Sequence, residues 1–141
     1  MDSKAKRKFN LLAIICIIIV GIAITPVSFQ NDTFYTVKIG EHIIENGGID
    51  MQDPFSWVGD LKYTYPHWLY DVGTYLIYHL TGWTGVYVST IILACFLGIL
   101  LYFVNVKISK NNLISFALTI GAMFLLKPYI AARAQLVTFI L

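Results

Sequence analysis

Residues 9–27 form a run of 19 positions without a charge. As an α-helix rising about 1.5 Å per residue, that run reaches close to ~30 Å, the thickness of a bilayer's hydrocarbon core. Lys4, Lys6, Arg7 and Lys8 precede it. A cleaved signal peptide would show a shorter apolar region, of about 7–15 residues, and an A-x-A-like site. Here the nearest small pair, Ala23 and Thr25, is followed by Pro26, which hinders cleavage. The run therefore reads as a first transmembrane helix. The basic tail, residues 1–8, is expected on the cytoplasmic side.

The rest of the chain shows the same blocking of apolar residues. Charged residues are only 13% of the chain and hydrophobic ones 57%, against roughly 25% charged in a soluble domain. Residues 82–106 hold no charge, and a second span fits 85–106. Lys107 and Lys110, with Asn111 and Asn112, mark a cytoplasmic turn over 107–112. A third span fits 113–127. Its apolar part, 113–126, reaches only about 21 Å if helical, so it either extends back through Asn111 and Asn112 or breaks at Lys127-Pro128. An external or re-entrant turn follows over 128–134. A fourth apolar stretch begins at 135–141, which suggests the N-terminal piece of a longer protein. The expected fold is an all-α, multi-pass integral membrane protein, a transmembrane helix bundle.

Residues 28–84 form the external loop of this reading. Residues 28–71 hold seven of the eight acids: Asp32, Glu41, Glu45, Asp50, Asp53, Asp60 and Asp71. Asp32 is placed to cap a helix over about 33–46, since a carboxylate accepts the orphan N–H groups of a first turn. Phe34, Tyr35, Val37, Ile43 and Ile44 give that helix an apolar stripe, and Gly47-Gly48 stops it. A short hairpin fits 53–66, around Gly59-Asp60. An interfacial helix is expected over 67–80, ended by Thr81-Gly82. Its rings, with Trp83 and Tyr87, suit the headgroup level.

Three constellations carry chemistry. Asp32, just beyond the first span, suits a general base on a hydroxyl, or a ligand to a divalent cation; its plain alternative is helix capping. Lys127 and Arg133 suit a clamp on a lipid-linked phosphate, with Arg133 giving the bidentate contact; the alternative is snorkelling to the headgroups. Trp57, His67, Trp68 and Asp71 suit a sugar, rings stacking on its faces and polar groups meeting its hydroxyls; the alternative is membrane anchoring. His42, His67 and His79 lack metal-ligand spacing. Cys16 and Cys95 both lie in apolar blocks and read as buried thiols. No phosphate-binding glycine loop or hydrolase motif occurs, and the few basic residues give no basis for nucleic-acid binding.

Several motifs follow one another in a telling order. They are N-D-T-F-Y-T-V-K-I-G-E-H-I-I-E-N-G-G at 31–48, D-P-F-S-W at 53–57, H-W-L-Y-D-V at 67–72 and Y-H-L-T-G-W-T-G at 78–85. That order resembles a family of bacterial multi-pass membrane proteins, similar in turn to the GT-C superfamily of glycosyltransferases. The resemblance covers about 31–135. Where the family shows an Arg-Pro-Gln-like motif, this chain reads A-A-R-A-Q, with Ala134 in the proline's place. It implies transfer of a sugar from a polyprenyl-phosphate carrier at the external face, with Asp32 as catalytic acid of the first external loop. Many GT-C enzymes show two adjacent acids there; this chain has Asn31-Asp32. The same residues leave room for a transporter subunit, or for an assembly or signalling component without enzymatic activity.

Overall fold

The computed structural model describes residues 3–50, 55, 57 and 64–141. The described residues are mostly helical, with no strand among them. In chain order they form α1 (Ser3–Ile24), α2 (Asn31–Glu45), α3 (Trp68–Ser109), α4 (Asn112–Leu126), a 3-10 turn (Lys127–Tyr129) and α5 (Ala134–Thr138). The hairpin expected over 53–66 falls largely outside the described residues. Three segments are long and apolar enough to cross a membrane: Lys4–Ile24, Trp68–Ser109 and Asn112–Tyr129.

α1 starts inside the basic tail rather than after it. Its four cations decorate the first two turns of a helix that then becomes wholly apolar. It stops at Ile24 because Pro26 supplies no N–H donor. Thr25 donates its hydroxyl to the Gly21 carbonyl at 2.7 Å, which satisfies one of the orphan acceptors at that end.

α3 is too long for a single crossing. Its 42 residues would reach about 63 Å, roughly twice a hydrocarbon core. Gly82 divides it, with φ 67° and ψ −163°, a backbone region essentially confined to glycine. The 68–81 half would reach only about 21 Å and carries Asp71; the 83–109 half would reach about 40 Å and is uncharged until Lys107. We therefore take 83–109 as the span and 68–81 as a separate helix.

α4 and the 3-10 turn that follows it together form a segment of 18 residues, Asn112–Tyr129. Asn111 caps it, its side-chain oxygen accepting from the N–H groups of Leu113 at 3.0 Å and Ile114 at 3.3 Å. At the other end the chain continues through the 3-10 turn, where Pro128 closes the helix and the Ile130 N–H returns to the Lys127 carbonyl at 3.2 Å. Of the two routes open in the sequence, the helix reaches back only to Asn112, Asn111 standing in extended backbone, and it breaks at Lys127-Pro128.

The described chain divides into two compact units. The first comprises Met1–Ser28 and Tyr87–Leu141. In it α1 runs antiparallel to the end of α3 and parallel to α4. Asn10 meets Tyr102 and Asn112, whereas Ile17 and Met123 both lie against Gly98. A Cβ at Gly98 would sit 2.7 Å from Ile17 Cγ2 and Met123 Sδ. The missing side chain thus lets three helices approach, as small residues do where lipid removes the hydrophobic incentive to associate. Ala13, Ile17, Ala94, Leu97, Tyr102, Met123 and Leu136 form the core. Leu11, Leu12, Ile15, Ile19, Ile92, Phe96, Phe103, Leu118 and Leu125 point outward. So much exposed apolar surface suits lipid, and water poorly.

Polar side chains tie the three helices together at the end where α1 begins. Tyr102 donates its hydroxyl to Asn10 Oδ1 at 3.0 Å, and the amide of Asn112 donates to the same oxygen. Asn105 donates to Thr119 Oγ1 at 3.1 Å, and the hydroxyls of Ser109 and Ser115 lie 2.7 Å apart. Buried amides and hydroxyls need such partners where no water reaches.

Candidate functional site

The second unit, Phe29–Val86, holds four of the six residues expected to act: Asp32, His67, Trp68 and Asp71. It is built by packing α2 on the 68–81 half of α3. The contact centres on Gly40. A Cβ there would lie 2.2 Å from the Asp71 carbonyl oxygen and 2.7 Å from Tyr75 Cβ, so the helix backbones touch with nothing between them. Ile39, Ile43 and Tyr65 complete the buried cluster, with Val72 packed against it.

The buried face of α2 differs from the expected stripe. Thr33, Val37, Ile39, Gly40 and Ile43 are buried. Phe34, Tyr35 and Ile44 are exposed. The helix has apolar residues on both sides, and the small residues, Gly40 and Thr33, decide which side docks closely. The outward ring of Phe34 stacks instead into an aromatic group, its centroid 6.3 Å from Phe29 and 4.8 Å from Trp83. Tyr78 lies 4.6 Å from Trp83. Four such rings suit a headgroup-level anchor.

Asp32 is not the helix cap. The cap position is Gln30, in extended backbone without a side-chain bond, and Asp32 lies one position inside the first turn. It is exposed and lies in the first turn, among the N–H groups that have no partner within the helix. At the other end, Gly47 adopts φ 68°. The Gly48 N–H reaches the Ile43 carbonyl at 3.1 Å and the Gly47 N–H reaches Ile44 at 3.2 Å, a Schellman ending.

Asp71 is the buried acid of the unit, 8% exposed. Burial pushes its carboxyl up to about 6; His67 and a hydrogen bond with Thr36 pull the other way without cancelling the effect. Burial also raises the neighbouring Tyr70 hydroxyl to about 12, against a smaller opposite effect of Thr74. His67 and Asp71 are one turn apart, the Asp71 N–H donating to the His67 carbonyl at 3.0 Å. Trp68 lies at the start of the same helix with 46% of its surface exposed. An acid titrating near neutrality beside an imidazole and an exposed indole suits proton transfer on a ring-shaped polar substrate.

Lys127 and Arg133 belong to the first unit. Lys127 is exposed on the 3-10 turn. Arg133 precedes α5 in extended backbone. Its N–H donates to the Ala131 carbonyl at 2.8 Å and its carbonyl accepts from Leu136 at 3.1 Å. Its Nε is buried. Both residues flank the buried segment Ile130, Ala131 and Ala132.

Sequence reasoning missed Thr36 and Gly40 as partners of Asp71. A signal existed, because Asp32, Thr36 and Gly40 recur at four-residue spacing on one helix face, and an isolated helical glycine often marks close packing. It also missed a second polar group. His42 Nε2 lies 3.0 Å from Asp50 Oδ2, and the buried Tyr65 donates its hydroxyl to Asp50 Oδ1 at 3.1 Å. These residues come from separate segments and no local pattern announces them. Trp57 is 97% exposed. Among the described residues no three His, Cys, Asp or Glu side chains are grouped to hold a metal. Two pockets are lined by residues of α1 and of the 110–113 turn, and none of the six expected residues lines either. No protein family matches the chain, and neither a curated protein nor a solved structure matches it.

Proposed function

We propose that this protein is a membrane glycosyltransferase of the GT-C type, working at the external face of a bacterial cell membrane with its N-terminus in the cytoplasm. The observation that carries the reading is the exposed carboxylate of Asp32 in the first turn of α2, immediately after the first apolar helix. The order of motifs over 31–135 supports it. The basic residues at the start of α1 support the orientation.

In this reading the donor is a sugar on a polyprenyl-phosphate carrier. Lys127 or Arg133 holds its phosphate. The acceptor is a hydroxyl. Asp32 takes the hydroxyl proton as the oxygen attacks the anomeric carbon with inversion. The bond from that carbon to the phosphate oxygen breaks, and polyprenyl phosphate leaves with the electron pair. Trp68, His67 and Asp71 contact the sugar, the indole by stacking and the polar groups by hydrogen bonds. A divalent cation, where one takes part, would find a carboxylate oxygen donor in Asp32.

The test uses membranes containing the protein, incubated with radiolabelled polyprenyl-phosphate hexoses. Asp32→Asn should lower transfer about a hundredfold or more, the usual loss on removing a general base, while the protein still inserts. Transfer at the unaltered rate in that variant overturns the assignment. Absence of transfer by the unaltered protein across the hexoses favours a role in membrane assembly.

A further inference from the structure

The charges of the first unit are one-sided. Its sequence contains Lys4, Lys6, Arg7, Lys8, Lys107, Lys110, Lys127 and Arg133, eight of the chain's ten Lys and Arg, against one acid, Asp2. Six of the eight lie in the segments that α1 and the α3–α4 turn bring to one end of the bundle. Among the described residues of this unit no carboxylate side chain stands against these cations.

A pocket of about 460 Å³ opens at that end, lined by Lys6 and Phe9 of α1 and by Lys110, Asn111, Asn112 and Leu113 of the turn. Its floor is fixed. Asn112 donates to Asn10, which also accepts from Tyr102, and the Asn111 oxygen is held by the α4 N–H groups. That capping turns the Asn111 oxygen inward and leaves its NH2 as a donor. Lys6 and Lys110 are both exposed and have no carboxylate partner among the described residues. Phe9 and Leu113 give the pocket an apolar wall. Two ammonium groups, an amide donor and an apolar wall are what a phosphate joined to a hydrocarbon tail requires.

Lys110 is held in an unusual backbone. Its φ is 54°, and it is the one described residue other than glycine with a positive φ. Glycine would adopt that geometry more cheaply. A lysine kept where glycine fits better places a charge at the rim of this pocket, and strain of this kind tends to gather at functional positions.

We infer that the pocket between α1 and the α3–α4 turn is a binding site for the phosphate headgroup of an anionic phospholipid, held by Lys6 and Lys110. The site is separate from the residues assigned to sugar transfer, and it stands whether or not that assignment does.

The experiment uses the whole chain reconstituted in phosphatidylcholine vesicles containing phosphatidylglycerol, with retained lipid counted by native mass spectrometry after gentle extraction. The unaltered protein should keep phosphatidylglycerol over phosphatidylcholine. Lys6→Gln with Lys110→Gln should lower that retention about thirtyfold, from the typical contribution of two interfacial cations. Lys4→Gln with Lys8→Gln removes the same charge outside the pocket and should lower it little. Lys110→Gly relaxes the backbone and removes one cation, so the protein should unfold at an equal or higher temperature while retention falls. Equal losses in the two double variants would mean a diffuse surface potential and overturn the site. Displacement of the lipid by millimolar inorganic phosphate would overturn the lipid assignment in favour of a soluble phosphate. Unchanged retention in Lys110→Gly would remove Lys110 from the proposal.

Discussion

Asp71 and Gly40 meet at one point of the second unit, and each predicts a different failure. Asp71 carries a carboxyl raised from 3.8 to about 6 by burial. The folded state therefore binds its proton more tightly than the unfolded state does. The stability it contributes is fully present below pH 3.8 and is lost as pH rises through about 6. Asp71→Asn keeps the shape and the means to bond Thr36 but has no charge to bury. It should raise the melting temperature of the protein in detergent at pH 8 and leave it nearly unchanged at pH 4; equal effects at both pH values would mean that the charge is not what burial penalises. Gly40→Ala acts through space alone, since its Cβ would lie 2.2 Å from the Asp71 carbonyl oxygen. A backbone atom cannot rotate away, so α2 must move as a whole. The expected loss is about 1–3 kcal/mol, read as faster hydrogen exchange across 31–45; exchange as slow as in the unaltered protein would show that α2 does not dock there. Asp71 was legible in the sequence as a polar candidate, but its burial was not. Helical periodicity gives the spacing of a face, and α2 offers apolar residues on two faces. Only the contact at Gly40 chooses between them.

At the scale of elements, the spans were legible where composition alone decides. A charge-free run long enough for the bilayer, bounded by lysines, leaves a helix little alternative, and α1 needed no tertiary information. The Thr81-Gly82 break was legible for a related reason, since a residue with φ 67° is readily supplied only by glycine. What the sequence left open was how α4 reaches a spanning length. The added length comes from the 3-10 turn Lys127–Tyr129, while the Asn111 cap fixes where the helix starts, and both are local bonds rather than hydropathy. The polar ties between helices were not legible at all, because Tyr102 and Asn112 stand about ninety and a hundred residues from Asn10. Gly82 and Gly40 make a useful contrast. A Cβ at Gly82 meets nothing within 4 Å, so Gly82→Ala is opposed only by its backbone angles, at about 1–3 kcal/mol. The loss should appear as a lower melting temperature in detergent. A melting temperature equal to that of the unaltered protein would mean that position 82 holds no strain for alanine.

Over the whole molecule, charge and apolar surface are sorted rather than mixed. The segment 28–71 carries seven of the eight acids, while four of the ten cations lie in the first turns of α1 and two more, Lys107 and Lys110, lie where α3 ends. Each sorted block is separated from the next by a helix of spanning length, and the outward residues of α1 are aliphatic. A bilayer around α1 would put Ala5 and Gly48 on opposite sides, and the positive-inside rule predicts the basic end within. Both positions are exposed, uncharged and free of constraint: a side chain at Gly48 meets nothing within 4 Å, and its backbone is outside the left-handed region. With Cys16 and Cys95 replaced by Ala, Gly48→Cys should react with a membrane-impermeant maleimide on sealed right-side-out vesicles. Ala5→Cys should react only after detergent. The reverse pattern would keep α1 as a span and invert the protein, taking Asp32 away from the external face and the glycosyltransferase reading with it. Reaction of both without detergent would mean that α1 does not cross. The phospholipid site would survive the first of these outcomes, because its lysines face an interface in either orientation, and would fall with the second.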